Sequence, residues 1–164
     1  MQHHAKTIIA LTLGFATLAA SAQAVRTEKN MSLELATKIA AATVAACTAD
    51  KFNVTATVVD RAGTVRAVQR ADNAGPHTVD ASRAKAYTSA SAKNTTLAMM
   101  ENAQKNPAAA TLVYLPGMLL VGGGVPVKVG NEVIGAVGIG GAPGGHLDEQ
   151  CAVAAIATVA DLLK

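Results

Sequence analysis

The sequence predicts an α/β chain of the α+β type, in which helices cover the faces of an antiparallel sheet. Two observations lead to this prediction. Helical and β-type segments follow one another in the order α-β-β-α-α-β-β-β-α, and neighbouring β-type segments are joined by short turns. The clearest pair joins Val125–Val129 to Val133–Ile139 across Gly130-Asn131, a dipeptide typical of tight hairpin turns. Hairpins pair strands antiparallel and leave faces that helices cover.

The chain begins with a predicted signal peptide, residues 1–24. Lys6 precedes an apolar run over residues 7–20, and small residues around Ala22 and Ala24 offer cleavage sites. The apolar run is shorter than the roughly 20 residues that a membrane-spanning helix needs. We therefore expect a mature domain of residues 25–164, located in the periplasm or secreted, with no membrane attachment after cleavage.

The first half of this domain contains a helix, a hairpin and a second helix. Ser32 is a favourable N-cap for a helix over residues 33–49, whose apolar residues recur at helical spacing. Residues 53–60 and 64–70 are rich in β-branched residues and predict two strands around a short turn. Thr78 is then predicted to cap a helix over residues 79–91.

The second half is predicted to contain two more helices and three strands. Asn94 or Thr95 starts a helix that ends near Lys105, because Asn106-Pro107 stops it. Residues 108–117 are predicted to be irregular, and residues 118–121 to form a short strand ahead of the hairpin. Asp148 is predicted to cap the last helix.

Charge and composition argue against a nucleic-acid partner. Removal of Lys6 changes the 14 basic and 11 acidic residues to 13 and 11, a net charge near +2. The chain has no basic run, and its aromatic residues amount to only 2%. Nucleic-acid binding normally requires a concentrated positive surface, often with aromatic stacking platforms.

Most of the 14 glycines lie between Val121 and Glu149, and their spacing does not fit nucleotide binding. No Gly-Lys-Ser/Thr follows them, as a P-loop requires, and Pro143 stands where a dinucleotide fingerprint has its third glycine. The acidic residues Asp148 and Glu149 would also repel a phosphate at the start of the last helix. We interpret the glycines as shaping turns and one wall of a pocket, with Gly123 and Gly124 in that wall.

The candidate ligand-binding side chains are two histidines and two basic residues. His77 and His146 each lie in a glycine-containing loop before a helix, where a histidine is either a metal ligand or a solvated polar residue. Arg83 and Lys85 are predicted on the helix over residues 79–91, where they either bind a carboxylate or form an ordinary charged helix face. Cys47 and Cys151 are either a disulfide or two buried thiols.

Three segments together resemble the GlcG/HbpS family of haem-binding or haem-degrading domains, which is similar to the C-terminal part of PduO-type corrinoid adenosyltransferases. They are V-V-D-R-A-G-T-V at 58–65, A-S-R-A-K-A-Y-T-S-A at 81–90, and the glycine-rich sequence G-G-G-V-P-V-K-V-G-N-E-V-I-G-A-V-G-I-G-G-A-P-G-G-H-L-D-E-Q-C-A at 122–152. The resemblance covers nearly all of the mature chain.

The resemblance implies a profilin-like α-β-α fold with a five-stranded antiparallel sheet covered by helices on both faces. It also implies a homo-oligomer that binds haem or a related tetrapyrrole. The first hypothesis is therefore an exported haem-binding protein with a role in haem sequestration or degradation. His77 or His146 would bind iron, Arg83 or Lys85 would lie near the propionates, and any enzymatic activity would be oxidative haem breakdown. The alternatives are an accessory enzyme domain that acts on a small organic acid or aldehyde without haem, and a non-catalytic scaffold.

Overall fold

The computed structural model describes residues 24–164, so the predicted signal peptide lies, except for its last residue, outside the described residues. Within this range the helices and strands are α1 (Leu33–Ala49), β1 (Thr55–Asp60), β2 (Val65–Arg70), α2 (Thr78–Ala92), α3 (Thr96–Lys105), α4 (Pro107–Ala110), β3 (Gly124–Val129), β4 (Glu132–Gly140) and α5 (Gly145–Thr158). Short 3-10 turns follow at Thr111–Tyr114 and Ala160–Leu162. No helix among these residues is long and apolar enough to span a membrane.

The strands form one antiparallel sheet in the order β2-β1-β4-β3, which confirms the predicted α+β class and both hairpins. The described part of the chain has four strands in this sheet rather than the predicted five. The missing strand is residues 118–121, which make no ladder. The backbone N–H of Leu119 instead donates to the Thr88 hydroxyl of α2, at 2.8 Å.

The main core lies between one side of the sheet and the helices α1 and α5. Ile39 of α1 and Val58 of β1 are both fully buried in it. Burying a side chain of this size contributes about 1.5–3 kcal/mol relative to exposure. Val59 follows Val58 in the strand and therefore points to the other side, where it packs with Ala86 of α2.

Helix α2 lies close to the sheet because the residues between them are small. Gly138 of β4 faces α2, and a Cβ there would clash with the backbone carbonyl of Ser82. Hydroxyl pairs add to this contact: Thr55 with Thr78 at 2.6 Å, and Thr57 with Ser82 at 2.7 Å. Thr78 is therefore inside the helix and bonded to the sheet, whereas His77 occupies the N-cap position without a side-chain hydrogen bond.

Several other predicted boundaries can be compared with the structure. Ser32 caps α1, as predicted, and of the two residues predicted to begin α3, Asn94 and Thr95, it is Thr95 that caps the helix. The cap of the last helix was predicted wrongly, because α5 begins at Gly145 and Asp148 lies inside its first turn. Residues 108–117 are also more regular than predicted. Asn106 caps the short helix α4, which Pro107 can begin because proline suits the first helical turn.

A disulfide joins Cys47 near the end of α1 to Cys151 in α5, with 5.3 Å between the Cα atoms. This resolves the two alternatives for the cysteines. The bond closes a loop over a sequence separation of 104 residues. In the chain-entropy model, a disulfide that closes a loop of this size stabilises the folded state by about 4–5 kcal/mol.

We expect Cys47→Ala together with Cys151→Ala to lower the free energy of unfolding by up to about 4–5 kcal/mol, because the unfolded chain regains its freedom. Urea unfolding followed by circular dichroism measures this loss. With dithiothreitol in the urea solutions, the unfolding midpoint of the wild-type protein should shift toward that of the variant. The midpoint of the variant should not change when dithiothreitol is added. Equal midpoints for wild type with and without the reductant would contradict a stabilising disulfide.

Candidate functional site

The site is built around a buried ion pair between Lys85 of α2 and Asp148 of α5. Lys85 Nζ lies 2.7 Å from Asp148 Oδ2, and the two side chains are only 5% and 2% exposed. The second carboxylate oxygen of Asp148 accepts a hydrogen bond from the backbone N–H of Ala142 at 3.1 Å. The carboxylate is thus held at both oxygens.

Glycines close around this pair because no side chain fits there. Gly123 has a φ of +114°, which favours glycine, and a Cβ at that position would lie 2.6 Å from the Asp148 Cβ and 3.1 Å from Lys85 Nζ. Gly124 packs against the backbone of Lys85, and its N–H donates to the Thr96 hydroxyl at 2.7 Å. Both glycines therefore lie beside the ion pair. Neither is among the residues that line the adjoining cleft, so their predicted place in a pocket wall stays a prediction.

The ion pair lies at a cleft of about 350 Å³, here called the glycine cleft. Its lining residues are His77, Ala81, Lys85, Leu119, Val121, residues 140–145 and Asp148. Most of this lining is backbone, glycine or apolar side chain, and His77 is its exposed imidazole. The volume is at the lower end of the range for ligand pockets, about 300–1,000 Å³.

A second cleft of about 410 Å³ lies between α3 and α5 and is here called the α5 cleft. Its lining residues are Leu97, His146, Glu149, Gln150, Val153 and Ala154. Burial raises the pKa of the Glu149 carboxyl, although the polar groups of Thr95 and Leu97 oppose the change. Glu149 Oε2 is buried and has no hydrogen-bond partner among the described residues.

The structure distributes the predicted site residues over different places. His77 and Lys85 line the glycine cleft, whereas His146 lines the α5 cleft. Arg83 is exposed on α2 and lines neither cleft. In the described part of the chain, no three His, Cys, Asp or Glu side chains come together as metal ligands would. The roles predicted for these residues in haem binding stay predictions.

Asp148 is the site residue that sequence reasoning missed, since it was interpreted as a helix cap and as a charge that repels phosphate, and not as part of a binding site. Lys85 lies 63 positions away in the sequence, so no local spacing could signal the pair. Burial raises the pKa of the Asp148 carboxyl, and it outweighs the Lys85 ammonium and the Ala142 N–H, which both lower it. The carboxyl therefore holds a proton more readily than an exposed aspartate does.

A comparison with protein families identifies the chain over residues 31–157, where it matches the model described as haem-degrading protein, HbpS-like. The chain belongs to this HbpS-like family. Among solved structures, a double mutant of Streptomyces reticuli HbpS is 33% identical, with a TM-score of 0.78 over 95% of this chain and 99% of that chain. A comparison with curated proteins found no match.

Two further solved structures extend the likeness. The Klebsiella pneumoniae protein ORFY is 29% identical, with a TM-score of 0.78 over 84% of this chain and 95% of that chain. A PduOC–haem complex is 23% identical, with a TM-score of 0.65 over 73% of this chain and 88% of that chain. The likeness to the PduOC–haem complex shows a shared fold. The HbpS-like chain described here thus has relatives that match it over most of their length.

We expect Lys85→Met to cost about 3–5 kcal/mol of unfolding free energy at pH 8, because it leaves the Asp148 charge buried without a partner. The pKa of Asp148 is already raised in the folded state, so the unfolded chain ionises first and stability falls as pH rises. The unfolding free energy lost in Lys85→Met should therefore decrease as the pH falls toward the ordinary pKa of aspartate. Urea unfolding at pH 8 and pH 5 measures both values.

The matched control is Lys85→Met combined with Asp148→Leu, which replaces the pair by apolar side chains. Such replacements are often neutral or stabilising, so most of the lost stability should return. A double variant as unstable as the single variant would show that packing, rather than the unpaired charge, causes the loss.

Proposed function

We propose that this HbpS-like chain binds haem or a related tetrapyrrole, and that the glycine cleft is the binding surface. The observation that carries the proposal is His77, an exposed imidazole beside apolar residues in one cleft, in a chain that belongs to a haem-degrading family. Imidazole is a common axial ligand of haem iron, and apolar surface suits the porphyrin ring. The PduOC–haem complex, which shares the fold, adds support.

The residues of the glycine cleft fit part of what haem requires. Leu119, Val121 and Pro143 supply apolar surface, and His77 supplies a nitrogen ligand. The small volume means that the cleft would cover one portion of the ring rather than enclose it. Lys85 is ion-paired with Asp148, so of the two predicted cations the exposed Arg83 is the more available to bind a propionate.

Bound haem would supply iron-centred redox chemistry, which is a property of the cofactor. The contribution of the chain is to bind and orient the ring. The ion pair joins α2 to α5, and it thereby ties together the two helices beside which His77 and the loop over residues 140–145 line the cleft. We propose sequestration or degradation of haem as the biological role.

We also propose that the protein is exported and acts in the periplasm or outside the cell. The predicted signal peptide motivates this proposal, and the buried disulfide supports it, because disulfides persist in oxidising compartments. A homo-oligomer is likewise proposed. Val113, Tyr114 and Leu115 form an exposed apolar run, which favours an association surface. Light scattering of the purified protein measures its mass, and a monomeric mass would contradict the oligomer.

We expect hemin titrated into residues 25–164 to give a saturable Soret shift. His77→Ala should weaken hemin binding at least about tenfold, which corresponds to about 1.4 kcal/mol. His146→Ala is the matched control, since it removes the other described histidine from the α5 cleft, and it should bind as wild type does. Absorption titration measures all three.

Three other results would each contradict a part of this proposal. The absence of a saturable shift in wild type would remove haem binding. A loss confined to His146→Ala would move the site to the α5 cleft. Unchanged binding in both variants would remove histidine ligation. Loss of the Soret band with time, in ascorbate and oxygen, would favour degradation over sequestration.

A further inference from the structure

A further cleft, of about 400 Å³, lies between Leu35 at the start of α1, Ile134 of β4 and Leu162 of the last 3-10 turn, and is here called the α1 cleft. Its volume falls within the range of ligand pockets, about 300–1,000 Å³. It shares no lining residue with the glycine cleft or the α5 cleft. An inference about this cleft therefore goes beyond the proposed binding of haem.

Four of the residues that line the α1 cleft have aliphatic side chains. Leu35, Val129 and Ile134 belong to the main core and are at most 9% exposed. Leu162 also lines the cleft, and it is 45% exposed. Covering apolar surface of this kind is favourable by about 25 cal/mol per Å². The cleft therefore suits a ligand with an aliphatic part.

Three polar lining residues are already bonded to other groups of the chain. Asn30 accepts hydrogen bonds from two backbone N–H groups, and Ser32 caps α1. Glu34 is the acidic side chain of the cleft, and its carboxylate lies 2.8 Å from the ammonium of Lys38 in the next turn. These three side chains are therefore committed to the fold, and the charge of Glu34 is balanced.

The remaining lining residues are two exposed lysines, Lys29 and Lys164. Within the described part of the chain, neither ammonium forms an ion pair. Glu132 is close enough to interact with the charge of Lys29, but it is bonded to Arg61 at 2.6 Å. Residues 1–23 contain no acidic side chain that could supply a partner. The uncommitted polar groups of the cleft are therefore both cations.

We propose that the α1 cleft binds a small amphiphilic anion, which has an oxyanion head and a short aliphatic chain. The head binds the ammonium groups of Lys29 and Lys164, and the chain covers Ile134 and Leu162. A lysine ammonium is a compact point charge and not a planar fork, so carboxylate and phosphate heads both suit it. No covalent step is involved, and the outcome of a hemin titration does not decide the proposal.

The test is calorimetric titration of the purified protein with octanoate and with octyl phosphate. Saturable binding of either probe supports the proposal, and the tighter of the two identifies the head. Octylammonium has the same chain length and the opposite charge, so it should bind at least about tenfold more weakly, which corresponds to about 1.4 kcal/mol. Saturation by neither anion, or equal binding of octylammonium, would overturn the proposal.

Variants then test the two cations. Lys29→Gln together with Lys164→Gln should weaken binding of the tighter probe at least about threefold, because exposed ion pairs contribute little individually. Lys93→Gln together with Lys105→Gln is the matched control, since it removes two exposed charges that lie outside the cleft, and binding should be unchanged. An equal loss in both double variants would show non-specific attraction and contradict the proposed site.

A magnetic resonance measurement locates the ligand, and a mass measurement tests the other occupant that apolar surface allows, a second copy of the chain. Nuclear Overhauser contacts should join the octanoate chain to the methyl groups of Ile134 and Leu162, and contacts only to other residues would overturn the proposal. Leu162→Asp should weaken octanoate binding and leave the mass measured by light scattering unchanged. A lower mass in this variant, without saturable octanoate binding in wild type, would assign the cleft to contact between copies.

Discussion

The Lys85–Asp148 ion pair is the interaction on which the arrangement of the cleft depends. It joins α2 to α5, two helices that otherwise pack with different parts of the sheet. Its burial imposes a constraint on the chain around it, because the backbone of residues 122–124 must pass close to both side chains. Only glycine satisfies that constraint at position 123, where φ is positive and a Cβ would touch both members of the pair. The buried ion pair therefore requires glycine in the backbone that passes beside it.

Helix α5 is fixed from two directions within one turn. Asp148 is bonded to α2, and Cys151, three residues later, is bonded covalently to α1. Residues three apart on a helix lie near the same face but diverge enough to meet different neighbours. This double attachment holds the first turn of α5 and the loop before it, which together form one side of the glycine cleft. The loop on this side consists of glycine, alanine and proline, so its position depends on these attachments rather than on packing of large side chains.

Local signals in the sequence predicted the local structure well, and contacts between distant residues account for most of the errors. Ser32 and the Gly130-Asn131 turn were correctly placed because capping and turn chemistry act within a few residues. Asp148 has the same local signal as a cap, but burial and a partner 63 residues away give it another role. Residues 118–121 have the sequence pattern of a strand, but the backbone N–H of Leu119 donates to the Thr88 hydroxyl of α2. The resemblance of the glycine-rich segment gave the family and fold class, and it could not give the ion pair.

The two histidines show why residue type alone could not locate the site. His77 and His146 both follow glycine-containing loops and lie at the start of a helix, so the local sequence does not distinguish their roles. In the fold, His77 lines the glycine cleft together with the loop over residues 140–145, and His146 lines the α5 cleft. The difference arises because α2 and α5 approach the sheet from different sides, which is a property of topology. Whether a ligand meets an imidazole, an amine or a carboxylate is therefore decided by which helix borders its cleft. The glycine cleft presents His77 together with the Lys85–Asp148 ion pair, and the α5 cleft presents His146 with Glu149, whose Oε2 atom is buried.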